Sequence, residues 1–169
     1  HLRAKGWSIS ILSGDEPAVV RMVGDQVGLS AESCIGGASP EAKLHTIERS
    51  LTDGPVVMVG DGINDAAAIA AASVGVGVHG GAEACLASAD VYLTTPGLHS
   101  LVQVTEGAAR TMHVIRRNIA FSLVYNVIGA GLAMTGHLTP IVAAILMPAS
   151  SLTVVIASWR ARTFGGVPS

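Results

Sequence analysis

Residues Gly60-Asp61-Gly62-Ile63-Asn64-Asp65 set two carboxylates four positions apart around a glycine turn. They follow a short, wholly apolar run, Val56 to Val59. Such a run, with no alternation, predicts a strand buried on both faces. A second stretch, Ser13-Gly14-Asp15, closes another apolar run, Trp7 to Leu12. Both stretches place small residues and carboxylates at a strand tip, just before a predicted helix. Helix N-termini attract anions, and phosphate is the natural guest. Two carboxylates would repel a phosphate unless a cation mediates. Mg2+ suits that task, because it bridges one or two carboxylates to phosphate oxygens. Lys43, near the start of another predicted helix, would offer a positive point charge to the same phosphate.

The elements that must hold these residues alternate strand and helix. Pro17 stands in the first turn of a helix that runs to about Val27 and stops at Gly28. Ser39-Pro40 starts a helix through about Leu51. Asp53-Gly54 makes a turn. Then come a helix from about Asp65 to Ala72, a strand over Val74–Val78, a short helix near Ala82–Ala87 and a strand over Val91–Leu93. This order predicts an α/β, Rossmann-like fold with a parallel sheet and right-handed crossovers. Ligands of such sheets bind beyond the carboxyl ends of the strands.

Other chemistries fit less well. Gly75-Val-Gly-Val-His-Gly80 matches a dinucleotide fingerprint in letters, but its glycines lie within a predicted strand and no acid follows at the required distance. There is no phosphate-binding loop ending in Gly-Lys-Ser/Thr. A net charge of −2 argues against a nucleic-acid surface. Cys34 and Cys85 are in no paired spacing and read as buried thiols of a reducing compartment.

Composition divides the 169 residues. Charged residues make up 13%, against about 25% in soluble domains. Asn118 to Ser158 contains no Asp, Glu, Lys or Arg. Leu101, Val104, Ala108, Met112 and Ile115 form one apolar helical stripe leading into that stretch. Residues 118–136 and 138–158 predict a two-helix transmembrane hairpin, about 28 and 31 Å long. Arg116-Arg117 and Arg160 flank it, which predicts cytoplasmic ends. Tyr125 and Asn126 on one span lie at the depth of Met147 and Ser151 on the other, all about 13–19 Å from the turn. Polar groups at mid-membrane point to a transport site, or to helix–helix adhesion. A thioether is a soft donor suited to Cu+.

These motifs resemble the phosphorylation domain of P-type ATPases, within the haloacid dehalogenase superfamily. Tyr-Asn on one late helix and Met-x-x-Ser-Ser on the next resemble the copper-transporting heavy-metal branch. The resemblance implies that Asp61 ligates Mg2+ with Asp65 supporting it, and that Gly60, Gly62 and Asn64 shape the loop. Lys43 would neutralise the phosphoryl group, and Ser13, Gly14 and Asp15 match the family's Thr-Gly-Asp. Tyr125, Asn126, Met147 and Ser151 would line a Cu+ (or Ag+) site. ATP would be the energy source. The implied setting is the bacterial cytoplasmic membrane, with lipid around the hairpin and a copper chaperone as delivery partner.

On this reading residues 1–97 are the C-terminal part of the phosphorylation domain. Residues 98–117 form an amphipathic connecting helix, and 118–169 the hairpin and a short tail. No Asp-Lys-Thr-Gly-Thr occurs, so the actuator, nucleotide-binding part, other membrane helices and the phosphorylated Asp would all lie upstream. This piece alone should be inactive. Two departures stand out. Ala66-Ala67 replaces the family's Ala-Pro after the second carboxylate, and Pro148 interrupts the second span. Rival readings are a membrane-tethered phosphatase of the same superfamily, a Zn/Cd-type pump and a non-catalytic regulator.

Overall fold

A computed structural model describes residues 1–61, 63–81, 87–136 and 139–161. The chain forms two compact units, His1–Val102 and the part from Gln103 onward. In the first, strands β1 (Ile11–Leu12) and β2 (Cys34–Ile35) pair in parallel, as do β3 (Val57–Gly60), β4 (Val74–Gly77) and β5 (Val91–Tyr92). Helices α1 (Pro17–Gln26), α2 (Pro40–Leu51) and α3 (Ala66–Ala71) alternate with them. All strand pairs are parallel, as expected, but they form two sheets rather than one: β1-β2 and β3-β4-β5.

The reasons are local. β2 has only two residues, so only Ile11 and Leu12 of the predicted Trp7–Leu12 strand find ladder partners, and Trp7 is left 40% exposed. The β2 strand itself is too short to carry a periodic signal. α2 starts where Ser39-Pro40 predicts, with the Ser39 hydroxyl accepting from the Ala42 N–H at 3.2 Å. Gly28 has φ of 72°, the left-handed geometry that ends α1. Ile47, Met58, Ala68 and Ile69 form the core between α2, α3 and β3. Gly75 lets β4 approach α3 closely: a Cβ there would lie 2.5 Å from Ile69 Cγ2 and 2.7 Å from its carbonyl oxygen. The predicted helix near Ala82–Ala87, with Cys85, falls largely outside the described residues. Cys34 is half-buried rather than buried.

In the second unit, α4 (His99–Met134) is one unbroken helix of 36 residues that begins in the first unit, and α5 (Pro140–Arg160) returns beside it. Thr139 caps α5, accepting from the Val142 N–H at 3.4 Å. The expectation of two membrane spans, 118–136 and 138–158, needs correction. Among the described residues no helix is long and apolar enough to cross a membrane. The uncharged part of α4 ends at Met134 and includes Asn118, Ser122 and Asn126. α5 starts later than predicted and carries Pro148, Ser150, Ser151 and Thr153.

Candidate functional site

Lys43, Ile47 and Leu51 recur at four-residue spacing on α2, so they share the face that meets the core. That placement buries Lys43 to 8% exposure. A buried ammonium needs a partner, and Asp65, also 8% exposed, supplies it. Lys43 Nζ donates to Asp65 Oδ1 at 2.7 Å. Asp65 is reached through a single 3-10 turn, Ile63–Asp65, that leads from the tip of β3 into α3. It occupies the N-cap position of α3, yet its side chain does not cap the helix. Its carboxylate faces Lys43 instead. Gly60 makes this possible, since a Cβ there would stand 2.9 Å from Asp65 Oδ2.

Asp61 and Asn64 are exposed beside this pair. Gly62 lies outside the described residues. One carboxylate is thus bound to a cation and the other is open to solvent. Asp61 is one open carboxylate that a Mg2+ ion could use, while Asp65 is occupied by Lys43. No cluster of three or more His, Cys, Asp or Glu side chains occurs among the described residues, so further ligands would come from substrate, water or other chain segments.

The Ser13–Asp15 loop is tied to the start of α2. The Ala38 N–H donates to the Ser13 carbonyl at 2.9 Å, and the Gly37 N–H to the Asp15 carbonyl at 2.6 Å. The Ser13 hydroxyl donates to Asp15 Oδ2 at 2.8 Å and accepts from the Asp15 N–H at 3.2 Å. Gly14 lies under the Ala38 carbonyl, 3.5 Å from where a Cβ would be. Lys43 follows Ser39 by one turn, about 6 Å along the axis. The hydroxyl loop and the buried cation therefore belong to the same end of α2. Glu41, in the first turn, has its carboxyl held below the usual range by a backbone hydrogen bond and by Ser39.

In the second unit, Tyr125, Asn126 and Met147 come together. With Ile128, Gly129 and Leu146 they line a recess of about 260 Å³ between α4 and α5. The Tyr125 hydroxyl donates to the Leu146 carbonyl at 2.6 Å. Ser151 does not join them there. It lines a neighbouring groove with Asn118 and Ser122, and its hydroxyl donates to the Met147 carbonyl at 3.4 Å.

Sequence reasoning named Lys43 and Asp65 but not their contact. The Lys43-Ile47-Leu51 stripe was the available signal that this lysine points inward.

Residues 1–73 match the haloacid dehalogenase-like hydrolase family. Over 159 residues the chain is 35% identical to a probable copper-importing P-type ATPase A of Enterococcus hirae, covering 94% of this chain and 22% of the relative. A manganese-exporting P-type ATPase of Mycobacterium bovis is 40% identical over 162 residues, with the same two coverages. The crystal structure of a zinc-transporting PIB-type ATPase in its E2.Pi state superimposes with a TM-score of 0.89 at 32% identity. That match covers 95% of this chain and 26% of the other. Over most of its length the chain is similar to these heavy-metal P-type ATPases. It spans about a fifth of the length of the curated relatives it matches. Its parallel α/β part has a haloacid dehalogenase-like fold.

Proposed function

We propose that this chain is a segment of an ATP-driven heavy-metal cation pump, supplying part of its phosphoryl-transfer site and part of its metal path. The observation that carries this reading is the buried Lys43–Asp65 pair at the tip of β3, one turn from the exposed Asp61. A fixed, dry ammonium beside an open carboxylate suits a phosphoryl group held with a cation. Asp61 would hold Mg2+, which screens the phosphate oxygens when bound. Asp65 keeps Lys43 in one rotamer and aimed at the site. Lys43 offsets negative charge on the phosphoryl group, and Ser13 offers it a hydroxyl. The nucleophile would be a carboxylate outside this chain, which attacks the γ-phosphorus of ATP as ADP leaves. Asn64, Gly60 and Gly62 shape the loop.

The cargo reading rests on the second unit. Tyr125, Asn126 and Met147 offer a phenol, an amide and a thioether, with Ser151 nearby, and Cu+ (or Ag+) suits the thioether best. A divalent cargo is the second reading, favoured by likeness to zinc- and manganese-named relatives. The α4–α5 hairpin would lie against lipid in the whole pump, because Ile119, Leu123, Val127, Ile145, Leu152 and Val155 are all exposed along it.

The test uses the full-length protein. Lys43→Ala should abolish phosphoenzyme formed from ATP. Met147→Leu should reduce Cu+-stimulated ATPase while leaving the fold intact. Stimulation by Zn2+ or Mn2+ alone, insensitive to Met147→Leu, would replace the Cu+ reading with the divalent one. ATPase activity with no phosphoenzyme would sink the pump reading.

A further inference from the structure

Three strand tips of the β3-β4-β5 sheet converge beside Asp61. The Val78 N–H donates to the Gly60 carbonyl at 3.1 Å, so the chain leaving β4 remains paired with the residue before Asp61. A Cβ on Gly81 would stand 2.8 Å from the Asp61 carbonyl oxygen, so these two backbones touch. Between these contacts the Gly81 N–H donates to the Val78 carbonyl at 3.1 Å. Gly80 has φ of 81°. This is a four-residue turn with its positive φ at the third position, which only glycine adopts without strain. His79 occupies the second position. The turn is also held from β5, where the Tyr92 hydroxyl accepts from the Gly80 N–H at 3.3 Å.

The turn is therefore fixed on one side by β3 and on the other by β5. Its one side chain with donor chemistry is His79, which is exposed. Among the described residues it has no hydrogen bond or ion pair. An imidazole carries an N–H donor in either neutral tautomer and in the charged form. Carboxyl ends of parallel strands are where sheets of this kind take their ligands. We propose that His79 is a further phosphate-contacting residue, donating an imidazole N–H to an oxygen of the phosphoryl group bound at Asp61 and Lys43. This rests on the reading of that site as a phosphoryl site. It adds a donor from the turn that follows β4.

The probe is orthovanadate, a phosphate analogue, applied to the ATPase of the full-length protein. His79→Ala should raise the half-inhibitory vanadate concentration by roughly tenfold or more, the loss expected for one hydrogen bond to a charged oxygen. His79→Asn and His79→Gln keep an N–H donor and should recover part of that loss, which a merely structural role would not predict. Vanadate sensitivity of His79→Ala within about twofold of wild type overturns the proposal, since such a change is too small for a lost charged hydrogen bond. Wild-type ATPase that ignores vanadate and survives Asp61→Asn overturns the phosphoryl-site reading itself, and the His79 assignment with it.

Discussion

Lys43 and Met147 both sit on helices and both stand in candidate sites, yet one is 8% exposed and the other 72%. The difference runs through their whole units. The first unit buries Ile47, Met58, Ala68, Ile69, Val76 and Leu93 and closes its own core. In the second, Gly107 alone is buried among the described residues of α4, and large apolar side chains line both helices in the open. The first unit positions its chemistry by packing. The second holds its recess by a few hydrogen bonds, chiefly Tyr125 to the Leu146 carbonyl. Charges can be held in the first because a core surrounds them; the second leaves its apolar faces to be covered from outside.

The contrast can be broken most sharply at Asp65. Asp65→Ala strands the Lys43 ammonium in the core and should cost about 3–5 kcal/mol of unfolding free energy. Denaturant titration in detergent measures it. A cost no greater than that of a surface change would remove the distinction between the units. Replacing both partners, Lys43→Met with Asp65→Leu, should restore most of that stability. The double variant would still lose phosphoenzyme formation in the full-length protein, separating folding from chemistry.

Gly75→Ala comes next. Its methyl would meet the Ile69 backbone carbonyl at 2.7 Å, so β4 and α3 must part, at a cost of about 1–3 kcal/mol. Thermal unfolding followed by circular dichroism reads it. Tyr125→Phe removes one neutral hydrogen bond from the hairpin and should cost only about 0.5–1.5 kcal/mol. A larger loss, measured in the same detergent, would mean that the second unit is more tightly organised than its exposure suggests.

The smallest effect is a pH dependence at the start of α2. Glu41's carboxyl is held low, first by a backbone hydrogen bond and then by Ser39. A lowered folded value means its contribution is present above the carboxylate range of the unfolded chain. It is lost as pH falls through the lower folded value. The carboxyl is fully exposed, so the loss is small. Acid titration of the isolated helical signal should show it, and Glu41→Gln should flatten it.

Much of the fold was legible in local chemistry. Ser39-Pro40 marks the start of α2, and the Val56–Val59 run lies within one residue of β3. The Asp61–Asp65 stretch marks the passage from the tip of β3 into α3. Two features were not legible. β2 is two residues long, below any period that a sequence can display. The charge at Arg116-Arg117 marked a boundary between a connecting helix and the uncharged stretch, but it does not mark a break: α4 runs straight through as one helix of 36 residues, because arginine is a good helix former and nothing there breaks the backbone ladder.

By itself, the sequence determined the kinds of elements, their order and the chemical groups at the strand tips. These follow from propensity, caps and apolar spacing, which act over a few residues. Only the tertiary structure decided which groups meet. Lys43 and Asp65 are 22 positions apart, and their contact depends on α2 packing against α3 with Lys43 on the inner face. Asp61 touches the turn after β4 only because Gly81 lacks a Cβ. Pairings of this kind are set by how faces pack across the chain, and no local pattern encodes that distance.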